Sequence, residues 1–336
     1  MIQEAIARLL GDDDLDRNTA HGVMEQIMTG GATDAQIGGF LVALRCKGET
    51  VDEITGFAEV MRSKATPITG GREPLVDTCG TGGDSSGTFN ISTTVAFVAA
   101  GAGCTVAKHG NRAMSSRSGS ADVLAALGVN VEASPETVGK CLDEAGMGFM
   151  FAPALHGAMK HAIGPRKELG TRTVFNVLGP LTNPAGARRQ LIGVFAPDLT
   201  ETMAGVLGAL GSERAFVVHG SDGLDEITVT GPSRVSELLD GEVRTYEIEP
   251  GDFGIKPATA ADLQGGDATE NAGILKSVLD GENGPRSDVV VLNAAAAITA
   301  GGLAQDLAEG VSLARESLSS GKAGQALDRL VEISNS

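Results

Sequence analysis

Apolar residues recur at helical spacing through the first 66 positions. Ile2, Ile6, Leu9 and Leu10 fall on one helical face. Asn18 is read as the cap of a second helix, which carries Val23, Met24, Ile27 and Met28 and stops at Gly30-Gly31. Thr33 or Asp34 opens a third, through Ile37, Phe40, Leu41 and Leu44. "TVDE" at 50–53 is a capping-box pattern, with Thr50 as N-cap and Glu53 reaching back. The helix it opens runs towards Met61, with Pro67 just beyond. The stripe of Ile37, Phe40, Leu41 and Leu44 is more than a small helical layer buries alone, so a homodimer through this layer is expected.

Near residue 72 the texture changes. "LVDT" (75–78) reads as a short strand, followed by a Gly-rich loop and a helix from about Asn90. "TVAK" (105–108) is the next strand and "SADVLAALG" (120–128) the next helix. In "SPETVGKCLDEAG" (134–146), Ser134 is the N-cap, Pro135 the first helical residue and Gly146 the stop. "GFMF" (148–151) is again a strand. This alternation predicts an α/β fold, a mostly parallel central sheet flanked by helices. Residues 164–190, rich in Gly, Pro and Arg, break the rhythm and read as a crossing or return segment. Beyond them "LIGVF" (191–195), "AFVVHG" (215–220), "ITVTG" (227–231), "VRTYEIE" (243–249) and "DVVVLNAAAA" (288–297) read as further strands. Residues 312–334 close the chain with helical sequence.

Composition narrows the function. The 336 residues carry a formal charge of −17, and aromatics are 3% with no Trp. A nucleic-acid partner is excluded, because phosphate backbones need a basic surface and exposed bases need stacking platforms. The four cysteines, Cys46, Cys79, Cys104 and Cys141, form no CxxC pair, so they read as buried reduced thiols. "MIQEAIARLLGDDD" is too short and too acidic for a secretory signal, and no apolar run reaches membrane-spanning length. A cytoplasmic location is expected.

Three stretches and one arginine outside them carry chemistry. "GTGGDSSGTFNIST" (80–93) follows a strand and opens a helix, the arrangement that cradles phosphate. It lacks the Lys of a P-loop, and Ser85 stands where a dinucleotide fingerprint needs Gly. Asp84 repels a bare phosphate but suits one that arrives with Mg²⁺. "KHGNRAMSSRSGS" (108–120) places basic and hydroxyl residues after a strand, where open parallel sheets bind ligands. Asp225 and Glu226 in "DGLDEITV" are adjacent carboxylates able to share Mg²⁺ with a substrate phosphate. Arg166, in the Gly-Pro turn of "GPRKELG", is suited to a carboxylate held bidentately. His156 and His161 read as structural or surface residues. The ligand that fits carries a pyrophosphate and a separate phosphate.

In register, "DTCGTGGDSSGTFNIST", "KHGNRAMSSRSGSADVLAALG", "RKELGTRTVFNVLGPLTNP" and "DGLDEIT" resemble the anthranilate phosphoribosyltransferases of tryptophan biosynthesis. The resemblance implies transfer of 5-phosphoribose from phosphoribosyl pyrophosphate to the amine of anthranilate, with Mg²⁺. It implies a homodimer and a small all-helical domain, residues 1–70 with part of 164–190 returning to it. The α/β domain is then 72–163 and 191–336. It also implies site residues. Gly80, Gly83, Asp84, Thr88, Asn90, Ile91, Ser92 and Thr93 would line the phosphoribosyl pyrophosphate site. Lys108, His109, Gly110, Asn111, Arg112, Ala113, Met114, Ser115, Ser116 and Ser120 would complete it. Gly80, Asn111 and Arg166 would contact anthranilate, and Ser92, Asp225 and Glu226 would ligate Mg²⁺. His109, Asn111 and Arg166 are the catalytic candidates. Two departures from the family pattern, Ser85 for Gly and Gly157 for Pro, touch no implied ligand position. The rival readings are a pyrimidine-nucleoside phosphorylase-like enzyme and a non-catalytic metabolite-binding protein on the same fold.

Overall fold

The computed structural model describes residues 1–84, 86–113 and 117–336. Four helices come first: α1 (Ile2–Leu10), α2 (Arg17–Met28), α3 (Asp34–Lys47) and α4 (Val51–Lys64). The second starts earlier than expected, because Asp16 and not Asn18 is its N-cap, accepting the Thr19 N–H at 2.9 Å. Thr33 caps α3 and Thr50 caps α4, each in a capping box. Glu53 goes beyond that box: it also accepts the Leu15 N–H at 2.9 Å and pairs with Lys47 at 3.1 Å. The stripe of Ile37, Phe40, Leu41 and Leu44 is buried within the chain, with Phe40 edge-on to Phe57 at 5.9 Å. It therefore does not itself call for a second copy. Large apolar side chains are exposed at Leu10 and Val42 on these helices and at Met1 just before them.

The larger α/β part is built on one seven-stranded sheet of order β3-β2-β1-β4-β5-β6-β7. The strands are β1 (Leu75–Gly80), β2 (Thr105–Gly110), β3 (Met147–Phe151), β4 (Arg189–Gly193), β5 (Arg214–Gly220), β6 (Ser233–Leu239) and β7 (Glu242–Ile248). The first five run parallel and the last two antiparallel. Between β1 and β2 lies α5 (Ile91–Ala102), and between β2 and β3 lie α6 (Ser120–Ala126) and α7 (Pro135–Lys140), the last running into a π turn. The connection from β3 to β4 holds α8 (Ala152–Leu155), α9 (Lys160–Leu169) and α10 (Phe175–Leu178). Helix α11 (Leu199–Ala209) joins β4 to β5. After β7 come α12 (Ala268–Leu279), α13 (Pro285–Ala300), α14 (Leu307–Ser319) and α15 (Lys322–Ser334).

Two large apolar cores, with a smaller third cluster around Leu75, Ala107 and Met150, cover the faces of the sheet. One gathers α5 and α12 to α15 with Val76, Val106, Leu191 and Val218. The other gathers the N-terminal helices, α11 and the 174–181 stretch with Cys79, Ile192 and Val217. Alternation along each strand makes this division, since successive side chains point to opposite faces.

Two expected strands are absent, for one linked reason. Residues 288–297 lie inside α13, whose residues Val289 to Ala300 are all buried. A helix surrounded by core is apolar all round, and its periodicity then resembles a buried strand. Asn293 on that helix accepts the Ile227 N–H at 2.8 Å and donates to the Ile227 carbonyl at 2.8 Å. The 227–231 stretch is thus a loop whose backbone bonds go largely to side chains, apart from the Val229 carbonyl, which accepts the Ala258 N–H at 2.9 Å. Its Thr228 N–H donates to Ser233 Oγ at 2.9 Å. The strand that β5 pairs with is Ser233–Leu239, which the sequence reading did not mark.

Candidate active site

The three motifs meet at the C-terminal ends of β1, β2 and β4. The Gly-rich loop leaves β1 pinned to its neighbour: Thr81 N–H donates to the Gly193 carbonyl at 2.9 Å, and Thr81 Oγ1 accepts the Phe195 N–H at 3.1 Å. Gly82 and Gly83 then take φ of +66° and +78°, left-handed conformations that glycine adopts without steric cost. This bend aims the Gly82 N–H at Asp225 Oδ2, 2.8 Å away. A β-carbon on Gly80 would sit 2.5 Å from the same oxygen, so a glycine there lets the acidic loop approach.

Asp84 joins this cluster. Its carboxylate accepts the Ser86 hydroxyl at 2.5 Å, and its charge acts on Asp225. Asp225 is pushed up to about 7, by burial first and then by the charge of Asp84. Glu226, 7% exposed, is raised well above the usual carboxylate range, by burial first and then by Asp225. The Ser92 N–H at the start of α5 and the Lys108 charge favour its ionised form. Lys108 itself is 1% exposed, and its Nζ donates to the Thr78 carbonyl at 2.5 Å and to Ser92 Oγ at 3.4 Å. Burial lowers its pKa. Thr93 Oγ1, two residues into the helix, is buried with no hydrogen-bond partner among the described residues.

Asp225, Glu226 and the Ser92 hydroxyl offer oxygen donors only, the kind hard cations take. Among the described residues no three His, Cys, Asp or Glu side chains make a metal cage. Mg²⁺ usually binds one or two carboxylates and completes its shell with water and substrate phosphate oxygens. The set fits Mg²⁺ on those terms.

The basic loop behaves unevenly. Arg112 is held by Asp122 at 3.2 Å and Glu132 at 3.5 Å, and lies over Phe151 at 5.5 Å. Asn111 Oδ1 accepts the Arg112 N–H at 2.7 Å, and its carbonyl accepts the Ser120 hydroxyl at 3.3 Å. Ala113 N–H donates to Asp122 at 3.0 Å. Gly110 lies against Ser120 and Phe149 with no room for a β-carbon. Met114, Ser115 and Ser116 lie outside the described residues, as does Ser85. His109 points to the other face of β2 from Lys108. Its Nε2 is 3.2 Å from that of His156, and both are buried. Burial first, and then His156, pushes His109 down to about 3.

Arg166 lies inside α9, not in a Gly-Pro turn; Pro165 is accommodated in the helix. The guanidinium is half-buried over the Phe175 ring at 5.0 Å and has no acidic partner among the described residues. Burial lowers its pKa. An unpaired guanidinium held on a ring is poised for an anion.

Two positioning residues escaped the sequence reading, Arg172 although it lies within "RKELGTRTVFNVLGPLTNP". Asn293 holds the residue next to Glu226. Arg172 stacks over Phe195 at 4.2 Å and donates to the Gly83 carbonyl, while its own carbonyl accepts Arg45 at 2.7 Å. It ties the Gly-rich loop to α3.

Comparison with known proteins accords with this arrangement. Residues 72–324 match the glycosyl transferase family, a/b domain, and residues 3–65 match its helical bundle domain. The anthranilate phosphoribosyltransferase of Moorella thermoacetica is 57% identical over 331 residues, 98% of each chain. The chain belongs to the anthranilate phosphoribosyltransferase family. The family's enzyme from Acetivibrio thermocellus is 54% identical over 336 residues, covering 100% of this chain and 97% of its own. The crystal structure of the anthranilate phosphoribosyltransferase from Thermus thermophilus superposes with a TM-score of 0.94 at 46% identity, covering 99% of both chains. That from Saccharomyces cerevisiae, in complex with phosphoribosyl pyrophosphate and Mg, gives 0.89 at 30% identity, covering 99% of this chain and 98% of its own.

Proposed function

We propose that this chain transfers 5-phosphoribose from phosphoribosyl pyrophosphate to the amine of anthranilate, releasing pyrophosphate, as a Mg²⁺-dependent enzyme of tryptophan biosynthesis. The observation that carries the reading is the Asp84, Asp225 and Glu226 cluster, set between a Gly-rich loop and the start of α5. Paired acids that repel one another in a buried site suit a pyrophosphate only when it arrives with a divalent cation.

Bound Mg²⁺ would neutralise the pyrophosphate and favour its departure. The chain's own residues do the rest. Gly80, Gly83, Thr88, Asn90, Ile91, Ser92 and Thr93 offer backbone and hydroxyl donors to phosphate oxygens, and Lys108 sets a positive charge beneath them. The basic loop from His109 to Ser116, with Ser120, flanks the same ligand. Arg166 holds the anthranilate carboxylate and Asn111 orients the acceptor. The C1–oxygen bond to pyrophosphate breaks as the amine nitrogen bonds to C1, and the amine proton leaves to solvent. An aromatic amine is neutral and nucleophilic at pH 7, so positioning supplies more than a base would. His109, uncharged against His156, shapes the acceptor side.

The helical lobe is taken as 1–70 with part of 164–190. The packing of Phe175, Val177 and Leu178 with the N-terminal helices supports that return. A homodimer through this lobe is proposed on the exposed Leu10 and Val42. Charged, phosphorylated substrates support a cytoplasmic location.

The test is a fluorescence assay for phosphoribosyl-anthranilate. Product is expected only with both substrates and Mg²⁺ present. Phosphorolysis of a pyrimidine nucleoside, or calorimetric binding of phosphoribosyl pyrophosphate without turnover, would overturn the reading.

A further inference from the structure

The stretch just before α12 lies against the phosphate loop from far away in sequence. Gly265 N–H donates to the Gly87 carbonyl at 3.0 Å, and Phe89 N–H to the Leu263 carbonyl at 3.3 Å. Gln264 Nε2 donates to the Ser86 carbonyl at 3.0 Å. A β-carbon on Gly265 would meet Phe89 N at 2.5 Å, so the two backbones touch.

Asn271, in the first turn of α12 and 2% exposed, sits at the centre of this contact. Its Oδ1 accepts the Gly266 N–H at 2.7 Å. Its Nδ2 donates to Asn90 Oδ1 at 2.9 Å, and Asn90 Nδ2 donates to the Ser118 carbonyl at 3.3 Å. The relay has one polarity. A backbone N–H fixes one end and a backbone C=O the other, so flipping either carboxamide breaks a bond.

Asn90 is the N-cap residue of α5, yet its side chain makes no cap hydrogen bond. Asn is among the strongest N-caps, and a free Asn90 would accept an N–H from the first turn. Those N–H groups are the ones an anion uses at a helix start. We propose that Asn271 is a positioning residue: it holds the Asn90 carboxamide sideways and so keeps the start of α5 open to a phosphate of phosphoribosyl pyrophosphate. This inference rests on the substrate site proposed above.

Asn271→Asp isolates the effect. An aspartate still accepts the Gly266 N–H but cannot donate to Asn90. The Michaelis constant for phosphoribosyl pyrophosphate should rise about tenfold, the change expected when an ordinary helix cap competes with the ligand. That for anthranilate should move much less. The rise should vanish when Asn271→Asp is made on an Asn90→Ala background, because the group through which Asn271 acts is gone. If Asn271→Asp does not fold, Asn271→Ser keeps an acceptor without an amide donor and carries the same prediction in the same cycle. Equal effects on both constants with a lowered melting temperature, or additive effects in the cycle, would overturn the inference and leave the site reading standing. A wild-type enzyme that forms no phosphoribosyl-anthranilate with both substrates and Mg²⁺ present would overturn the site reading, and the inference with it.

Discussion

Arg166 and His109 show how far a residue's chemistry follows from its place. Arg166 is half-buried on Phe175 without an acid to neutralise it. Replacing it by Ala should raise the Michaelis constant for anthranilate on the order of 10- to 100-fold, from the loss of a charge-assisted bidentate contact. The constant for phosphoribosyl pyrophosphate should change much less, and Arg166→Lys should not restore the value fully. Steady-state kinetics with each substrate varied in turn decides this; equal losses would make Arg166 a structural residue. His109 makes a prediction about pH. Its folded pKa, about 3, lies below the ordinary 6.5. Above pH 6.5 both folded and unfolded forms are neutral there and no penalty exists. As pH falls from 6.5 towards 3 the unfolded chain takes up the proton first, so stability is lost on the acid side. Melting curves from pH 7 to pH 4 should fall less steeply in His109→Asn. The pH profile of kcat/KM should lack a limb from His109 near neutrality. A limb near 6.5 that His109→Asn removes would restore it as a base. Sequence named both residues but not their settings, since the Gly-Pro pair read as a turn and His156 carried no motif.

At the scale of elements, the motif-bearing strands and their loops were legible because local signals agree there: a short apolar run, then Gly, then a helix start. The errors lie where tertiary contacts decide. Residues 288–297 read as a strand because a fully enclosed helix has no polar face to reveal its period. Residues 227–231 read as a strand because Asn293, the group that satisfies the Ile227 backbone, is 66 residues away from it. Asn293→Ala should therefore act in two ways. It strips partners from both the Ile227 N–H and carbonyl, costing roughly 1–3 kcal/mol for each group left unpaired. It also loosens the carboxylate pair beside it, so turnover should fall more at limiting Mg²⁺ than at saturation. Denaturant melts and Mg²⁺ titrations measure the two parts; a loss of stability with an unchanged Mg²⁺ dependence would confine Asn293 to the core.

For the molecule as a whole, the break near residue 72 was visible in the sequence, whereas the sharing of one core between the N-terminal helices and the sheet was not. The Ile37, Phe40, Leu41 and Leu44 stripe suggested a partner chain, yet it is consumed internally. Light scattering at micromolar concentration should nonetheless give a dimer mass. Val42→Glu should shift it towards the monomer, and an unshifted mass would move the interface away from α3. Replacing Asp225 and Glu226 by Asn and Gln should remove most turnover while leaving the fold intact; near-normal rates at limiting Mg²⁺ would refute the metal assignment.

The guanidinium of Arg112, held by Asp122 and Glu132, has a kinetic consequence. Both substrates are anions, and they approach a chain of charge −17 whose basic loop is already partly neutralised. Electrostatic steering here opposes encounter, in contrast to enzymes that draw charged substrates in. Salt shortens the reach of that repulsion to about 10 Å at 0.1 M. Capture should then quicken as inert salt is added at constant free Mg²⁺, and Asp122→Asn, by freeing Arg112, should flatten the response. A capture rate that falls with salt would mean that the local field at the loop outweighs the charge of the whole.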